Sequence, residues 1–548
     1  MEHSIFNINP EEINDINLLK AALVETLNYI STQHQQMQQL MKQNQELNDE
    51  INRLKGEKGK PEILPNTKQT LDISSKKYLG QNKGWNKEPK KDIIKIDNQI
   101  LCPINKDALP ADALFKGYDT VIGQDIIFKR NNTEYTVEIW YSPSLRKTYR
   151  SPLPESYTGY FGNNLKAFCT VMHYAMDTTR NKLLSFIRGM GIEISDGSLQ
   201  NILTENSGAW ITERNDLLKA GLQGQYLQTD STGARVKGQN HCTHAFVSEF
   251  FAVFSAQPGK SRLDILAALQ GQTREGILLQ YNQRAIDFFG HYEIPPKDRL
   301  DIEQVFRQKA IMGIKEFDLT ATALLPKLKQ KATSYKWIVG SLAFGYFFEQ
   351  ASYPAPKVLM SDDAREYVLL ALYRMLCWIH DARYYNKLAP LIDCHRKVLE
   401  DFKERYWGFY DLLKQYKQNP TEGSKLAIEC KFDGIFTPDT SYFDLNKEIQ
   451  RTLSNKKHLL TVLDRPFVPL HNNASELAAR RQVRKRDICL HTMTETGTKL
   501  QDAFMSIIHT SIQLGVDAYQ YILDRINNCS PFYLPDLVIE KIKANRMS

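Results

Sequence analysis

The sequence predicts a multidomain α/β protein whose mixed sheet is assembled from strands that lie far apart along the chain. Short apolar runs that are typical of buried strands end at carboxylates, in YLQTD at residues 226–230 and in KVLMSDD at residues 357–363. Long polar segments with helical patterns separate these runs, as inserted helical regions would. A heptad pattern near the N-terminus predicts a coiled coil that precedes all of them.

The composition favours a protein of a reducing compartment and argues against secreted and membrane classes. The chain has 548 residues, of which 42% are hydrophobic, with a net charge of +7 and a pI near 8.7. The basic residues are clustered, and this clustering favours a nucleic-acid partner. Eight cysteines without a CxxC pair do not suggest a disulfide scaffold. Because the N-terminus lacks the apolar core of a signal peptide and no apolar run has transmembrane length, we expect a cytoplasmic protein without a membrane partner.

The heptad pattern over residues 16–55 predicts a coiled-coil helix that pairs two copies of the chain. Asn44 lies at an a-type position, where it costs stability but favours a parallel two-stranded pair. The predicted dimer contacts are Ile30, Met37, Leu40, Asn44, Leu47 and Ile51. The alternative is an amphipathic helix that packs on its own chain.

Two segments separate the coiled-coil region, residues 1–56, from the first predicted helices. Residues 57–98 are rich in Lys, Gly, Pro and Asn, which predicts a flexible basic linker. Residues 99–155 predict a small β-rich domain. Its strands are expected in DTVIGQDIIFKR and TEYTVEIWYSP, with a turn at the two asparagines before the second run.

Residues 156–215 predict a helical domain with a helix-turn-helix for DNA binding. Gly191 is expected to break one helix and Ser195 to cap the next. The apolar face of this second helix comprises Leu199, Ile202 and Leu203. An ordinary helical hairpin has the same pattern and stays the alternative.

The remaining chain predicts a sheet-containing core in three parts, interrupted by two helical insertions. The core segments are 216–261, 356–385 and 465–525, the insertions are 262–355 and 386–464, and residues 526–548 form a short tail. In the first core segment His241, Cys242 and His244 lack a complete zinc ligand set and are interpreted as strand residues. A helix is predicted to carry LYRMLCWIHDARYYNKL in the second segment.

Three carboxylates, Asp230, Asp362 and Glu476, are the candidate catalytic residues. The two aspartates follow strand-like runs, and the glutamate falls in the first turn of a helix that Asn472 or Asn473 could cap. Two strand-end carboxylates and one helix carboxylate can form an all-oxygen site for Mg²⁺ or Mn²⁺. Two such ions support phosphodiester chemistry.

Two choices within this site depend on neighbouring residues. Asp362 is preferred to Asp363 as a ligand because it lies closest to the strand end, and Asp363 is then expected to cap a helix. A zinc site built from Cys377, His380, Cys394 and His395 is conceivable. The alternative is that Cys377 and Trp378 pack beneath the site, while His380 or Arg383 reaches the DNA phosphate.

Basic residues follow Glu476 on the same helix and are predicted to hold the DNA backbone. The predicted DNA-binding residues are Arg480, Arg481, Arg484 and Lys485, together with His380 and Arg383. Taken alone, this pattern is also typical of a solvated amphipathic helix with an ordinary Glu–Arg pair.

Three blocks resemble the transposases of the bacterial insertion-sequence family sixty-six. They are YLQTDSTG, then VLMSDDAREY with LCWIHDAR, and then RPFVPLHNNASELAARRQVRK followed by TETGTKLQDAF, in that order over most of the chain. The resemblance implies a ribonuclease-H-like core in which Asp230, Asp362 and Glu476 hold two divalent metals. Members often carry a cysteine-paired zinc finger, whereas this segment has only Cys102, so zinc binding is not expected.

The resemblance also implies function and partners. We expect a magnesium-dependent enzyme that cuts the ends of a mobile DNA element and joins them to target DNA in the bacterial nucleoid. It would act as a homodimer or a larger assembly, with accessory proteins of the same element as further partners. The alternatives are a metal-dependent nuclease of the same fold without strand transfer, and a catalytically silent DNA-binding regulator.

Overall fold

The computed structural model describes residues 16–54, 96–103, 118, 120–126, 129–154, 157–158, 160–307 and 309–547. The fold is mixed α/β, 59% helical, with a five-stranded mixed sheet. Most of the predicted basic linker lies outside the described residues. In the described ranges, no helix is both long and apolar enough to cross a membrane.

The chain divides into two compact units. The smaller comprises Lys60–Glu134 and Met190–Ile192, and its described residues contain neither helix nor strand. The larger comprises Met1–Gly59, Tyr135–Gly189 and Glu193–Ser548, and it contains all the elements named below.

The heptad segment forms one long helix, α1 (Ile16–Leu54). Its polar face contacts the second helical insertion, where the Thr32 hydroxyl donates to Asp444 at 3.1 Å and the Gln35 amide to the Tyr442 hydroxyl at 3.3 Å. The seam residues are exposed, with fractions of 49% for Ile30, 54% for Met37, 59% for Leu40 and 60% for Leu47, and Asn44 is exposed as well. The side chain of Ile51 lies outside the described part. The helix therefore packs on its own chain and still leaves its apolar seam uncovered.

The small β-rich segment forms a hairpin at a different place from the one predicted. Strand β1 (Ile139–Ser142) pairs antiparallel with β2 (Lys147–Arg150), so that Trp140 faces Tyr149 across the turn at 143–146. The expected turn at the two asparagines is wrong, because the described residues 120–126 and 129–138 form no strand. The Pro–Ser turn and the aromatic cross-strand pair provide the hairpin signal instead.

Two short strands and four helices follow. They are β3 (Tyr157–Thr158), β4 (Phe161–Gly162), α2 (Asn163–Tyr174), α3 (Arg180–Gly189), α4 (Asp196–Thr204) and α5 (Ser207–Leu222). The expected helix break is confirmed at Gly191, whose φ is +82°. The cap is confirmed too, since the Ser195 hydroxyl accepts from the Ser198 amide at 3.0 Å. The predicted apolar face of α4 is buried. Helix α5 runs across the boundary expected between residues 215 and 216.

The first core segment forms an antiparallel meander of three strands, in keeping with the sheet-containing core expected there. These strands are β5 (Leu227–Val236), β6 (Gln239–Val247) and β7 (Ala252–Gln257). His241, Cys242 and His244 lie in β6, which confirms their interpretation as strand residues. Asp230 does not end its strand, however, because β5 stays paired with β6 up to Val236.

The first insertion is helical, as predicted, with one added strand pair. Its elements are α6 (Arg262–Leu269), β8 (Leu278–Gln280), α7 (Gln283–His291), α8 (Pro296–Phe306), β9 (Ile311–Gly313), α9 (Ile314–Leu324), α10 (Pro326–Gln330) and α11 (Ala332–Glu349), with a 3₁₀ turn at Arg274–Gly276. Strands β8 and β9 pair antiparallel.

Two strands from the second core segment complete the sheet. Strand β10 (Val358–Ser361) pairs parallel with both β5 and β11 (Tyr373–Leu376), which gives the order β11-β10-β5-β6-β7. The helix predicted for this segment is wrong over Tyr373–Leu376, and helix α12 (Trp378–Asn386) begins after it. A four-residue segment is too short for its pattern to distinguish a strand from the first turn of a helix.

The second insertion is helical, as predicted, and surrounds an aromatic core. Its helices are α13 (Asp393–Gln418), α14 (Glu422–Ile435), α15 (Phe443–Ser454), α16 (Lys456–Leu459) and α17 (Thr461–Asp464). Trp378, at the start of α12, is fully buried against Tyr406 and Phe409, and its indole donates to the Leu459 carbonyl at 3.1 Å. This insertion thus packs directly beneath the helix that carries His380 and Arg383.

Four helices close the chain: α18 (Asn473–Cys489), α19 (Glu495–Gln513), α20 (Ala518–Ile526) and α21 (Leu534–Met547). The third core segment, expected at residues 465–525, ends with α19 and α20. The short tail is instead a helix, α21, which packs on α5 because Leu534, Val538 and Ile542 are buried.

Helix α19 covers the outer edge of the sheet at β7. Its residues Asp502, Ser506 and Thr510, spaced one turn apart, accept hydrogen bonds from backbone amides of β7 at 2.7, 2.9 and 3.2 Å. An unpaired strand edge is a site for unwanted pairing with other chains, and this helix satisfies its donors.

Candidate functional site

The parallel pairing of β5 with β10 places Asp230 and Asp362 side by side. Gln228 pairs with Met360, and each aspartate lies two residues further along its strand direction. Residues in register on neighbouring parallel strands project from the same face and lie about 5 Å apart. Both aspartates line one open cleft of about 460 Å³.

Helix α18, which carries Glu476, packs on the same face of the sheet. Ala474 and Ala478 on α18 pack against Ala245 and Val247 of β6, and Ala245 is the register partner of Asp230. Small residues one helical turn apart allow the helix to lie close to the sheet. Glu476, two residues from each alanine, projects from the other side of α18, where it contacts His380 and Arg383 of α12.

The pKa of Asp230 is set chiefly by burial, and the charges of Asp362 and Glu476 add to the shift. Together they raise this pKa from 3.8 to about 6. The Ser231 amide, which donates to the carboxylate at 2.8 Å, and the positive charge of Arg383 partly oppose this shift. Asp230 and Asp362 thus share one cleft, and Glu476 lies outside its lining but near enough for its charge to act on Asp230.

The structure distinguishes the two neighbouring aspartates after β10. Asp362 lines the cleft and accepts from the Ala364 amide at 3.1 Å. Asp363 points to the second insertion, where it accepts from the Asn455 amide at 2.9 Å and lies 3.5 Å from Arg374. The expectation that Asp363 caps a helix is therefore wrong, because packing directs it to side chains.

Glu476 lies in the first turn of α18, as predicted, surrounded by basic groups. Arg383 Nη2 contacts its two carboxylate oxygens at 3.1 and 3.2 Å, while His380 Nε2 and Arg480 Nη2 lie at 3.4 Å. Burial and Arg383 lower the pKa of His380. Asn472 occupies the cap position without a side-chain capping bond. Asn472 is therefore at the expected cap position, but the expectation that its side chain makes the capping hydrogen bond is wrong.

The basic residues of α18 divide between two environments. Arg480 and Arg484 are exposed. Lys485 is fully buried and donates to the His173 carbonyl, and Arg481 donates to the Ala175 carbonyl at 3.0 Å. These two residues join α18 to the C-terminal end of α2. The expectation that they bind DNA is therefore corrected: their side chains are committed to carbonyls within the protein.

A chain of hydroxyl and imidazole groups, of which Ser231 and Tyr367 line the cleft, was not predicted. The Tyr367 hydroxyl lies 2.7 Å from Ser231 Oγ, which lies 2.8 Å from His244 Nδ1, and His244 Nε2 is 3.1 Å from the Gly259 carbonyl. A carbonyl only accepts, so Nε2 carries the proton, Ser231 donates to Nδ1 and Tyr367 donates to Ser231. Burial lowers the pKa of His244 to about 4, which keeps the ring neutral.

This chain ties β5 and β6 to the 3₁₀ turn Arg365–Tyr367 that follows Asp362. Nearby, the Arg374 guanidinium donates to the carbonyls of Asp362 and Ala364 at 3.1 and 3.2 Å. Sequence reasoning missed these supports because their members are separated by up to 136 residues. The available sequence signal was the period-two alternation that puts Ser231 and His244 on one face of paired strands.

The conceivable zinc site is not assembled. His395 stacks on Tyr442 with ring centroids 4.8 Å apart, Cys394 is exposed, and Cys377 is buried beside Trp378. Burial raises the pKa of Cys377 to about 11, which disfavours the thiolate that binds metals.

The cleft offers carboxylate oxygens, the type of donor that a hard divalent cation prefers. These donors do not form a complete set of ligands. Among the described residues, no group of three or more His, Cys, Asp or Glu side chains forms a ready ligand set. Asp230 and Asp362 offer carboxylate oxygens to one cleft, and their mutual repulsion is of the kind that a cation relieves. Glu476 is held by Arg383 instead.

The raised pKa of Asp230 predicts a pH-dependent contribution to stability. The folded protein holds this proton more tightly than the unfolded chain, so the contribution is full below about pH 4 and is lost as pH rises through about 6. Asp230→Asn should therefore gain stability over wild type as pH rises through this window. Denaturant unfolding of both proteins across the window measures it, and a constant difference would refute the shift.

Comparison with known proteins identifies a relative of this chain. No family model matches the chain. The chain is 31% identical over 322 residues to "Uncharacterized protein y4jO" of Sinorhizobium fredii, and the aligned region covers 57% of this chain and 94% of the relative. This extent of identity over nearly the whole relative is sufficient to establish kinship. The chain therefore belongs to the same protein family as y4jO.

Proposed function

We propose that the protein is a DNA transposase of the insertion-sequence family sixty-six type, with a ribonuclease-H-like core. The observation that carries the proposal is that Asp230 and Asp362 line one cleft, with Glu476 near enough for its charge to act on Asp230. The sheet supports it, because three antiparallel strands followed by two parallel ones fit such a core. The proposed reaction, cleavage of DNA ends and their joining to target DNA, is inferred from the sequence resemblance to these transposases.

In this proposal the chain's own residues divide the work. Asp230 and Asp362 hold Mg²⁺ or Mn²⁺ at the cleft, and Glu476 completes the ligand set for two ions. When bound, such ions lower the pKa of water and stabilise charge on the phosphodiester oxygens. Arg480 and Arg484, which are exposed, contact DNA phosphates beside the acids. His380 and Arg383 lie at Glu476, where they can approach the same phosphates.

A strand-transfer assay tests the proposal. The full-length chain is mixed with Mg²⁺ or Mn²⁺, a supercoiled target plasmid and a duplex that carries the pre-cleaved ends of the DNA element encoding the chain. A transposase joins the 3′-hydroxyl ends to the target. Cleavage without joined product would indicate a nuclease of the same fold. Metal-independent DNA binding without either product would indicate a regulator.

The exposed seam of α1 is proposed to pair two copies of the chain. Leu40→Glu should shift the protein from dimer to monomer, because a charge would be buried in the seam between the two helices. Gln39→Glu adds the same charge one residue away, outside the seam, and should leave the dimer intact. Sedimentation equilibrium measures both masses. A monomeric wild type, or equal masses for both variants, would contradict the dimer.

A further inference from the structure

Arg383 places a positive charge where the proposed metal ions would sit. Its guanidinium contacts both oxygens of Glu476 and also lowers the pKa of Asp230. Among the described residues, neither Asp230 nor Asp362 has a basic side chain within ion-pair distance. The negative charge of the three carboxylates is therefore neutralised chiefly by the basic side chains around Glu476.

The same arginine is free to exchange partners. Its side chain is 44% exposed, whereas that of Glu476 is 12% exposed. Solvent screens the exposed guanidinium of this pair, and the long arginine side chain loses freedom in forming it, so the contact is weakened from the Arg383 side. A phosphate offers guanidinium a stronger, two-pronged contact than this single-nitrogen contact with Glu476. DNA at the cleft would therefore compete well for Arg383.

We propose that Arg383 is a displaceable counterion that couples metal binding to DNA binding. Without DNA it neutralises Glu476 and competes with the metal ions for that carboxylate. With DNA bound it turns to a phosphate, and Glu476 is released to the metal. This inference rests on the proposed function, because it takes the three acids as the metal ligands and DNA as the partner.

The effect of DNA on metal affinity and the effect of the metal on DNA affinity must be equal. If DNA raises the affinity for the metal by some factor, the metal raises the affinity for DNA by the same factor. Factors of roughly 5 to 150 are typical of such linked sites, and one exchanged ion pair belongs near the lower end, at about tenfold. The protein would then hold a complete metal set only when its substrate is in place, which would limit stray cleavage.

Titration with Mn²⁺ alone tests the proposal without relying on activity. Calorimetry or Mn²⁺ paramagnetic resonance gives the metal affinity of the full chain, with and without a short DNA duplex. In wild type the duplex should tighten Mn²⁺ binding about tenfold. Arg383→Gln should bind Mn²⁺ more tightly than wild type without DNA, and the duplex should then add little. Arg383→Lys should fall between them, because it keeps the charge and loses the planar guanidinium.

Arg396→Gln is the matched control, since this exposed arginine pairs with Asp393 away from the cleft. It should retain wild-type affinity and coupling. If Mn²⁺ binds all variants equally, or if Arg383→Gln keeps the full effect of DNA, the counterion role is overturned while the metal site stands. If Mn²⁺ binds none of them, the proposed function itself fails. Should Arg383→Gln misfold, as judged by its thermal midpoint, the comparison of Arg383→Lys with wild type decides.

Discussion

Replacement of Asp230 or Asp362 by Asn, or of Glu476 by Gln, is expected to lower DNA cleavage and strand transfer by roughly a thousandfold or more. A lost carboxylate removes a metal ligand, and metal contacts supply several kcal/mol of transition-state stabilisation. The fold should remain, because Asp230→Asn removes a buried charge that is repelled by two others. Cleavage and joining on gels, with circular dichroism of each variant, provide the measurement.

Asp363→Asn is the matched control for these variants. Its side chain bonds to Asn455 and pairs with Arg374, outside the cleft. We expect it to keep activity within about tenfold and to lower the thermal midpoint, because it weakens a partly buried ion pair. An inactive Asp363→Asn beside an active Asp362→Asn would reverse the choice of ligand. Full activity in all three acid variants would remove the enzyme proposal.

Lys485→Ala is expected to reduce the free energy of unfolding by about 3 kcal/mol, the largest stability effect among the basic residues of α18. Lys485 is fully buried, donates to the His173 carbonyl and lies 3.9 Å from Asp177. Its removal leaves a cavity and uncompensated polar groups between α18 and α2. Denaturant unfolding measures the loss.

Arg484→Ala, one residue earlier on the exposed side, should change stability by less than about 0.5 kcal/mol. It should weaken DNA binding. It should also reduce the slope of log affinity against log salt concentration by about one, which corresponds to the loss of one phosphate contact. Lys485→Ala, measured where it stays folded, should leave that salt dependence unchanged. The opposite pattern, a stable Lys485→Ala with reduced salt dependence, would show that Lys485 reaches DNA.

The fold was predictable wherever a local pattern repeats over enough residues. The heptads produced α1, the alternating apolar residues produced β5 to β7, and the Gly191 and Ser195 signals bounded two helices. Short runs were ambiguous. Tyr373–Leu376 carries a helix-compatible pattern and forms an edge strand, because the parallel partner β10 lies nearby only in the folded chain.

The candidate site, like the fold, was predictable only where it depends on local patterns. Residue type and position beside strand-like runs identified the three acids, and the helix pattern placed Arg480 one turn from Glu476. The internal contacts of Lys485 and Arg481 were not predictable, since their carbonyl partners are about 300 positions away. The same limit applies to the hydrogen-bonded group of Tyr367, Ser231 and His244.

By itself, the sequence determined the long helix α1, the strands β5 to β7, the candidate carboxylates and the places where positive charge accumulates, because these depend on neighbours within a few residues. Only the tertiary structure decided which of these groups meet. It joined Asp230 to Asp362 through strand register, paired Glu476 with Arg383, and divided the basic helix into a buried and an exposed face. Such pairings follow from packing between distant segments, which no local pattern encodes.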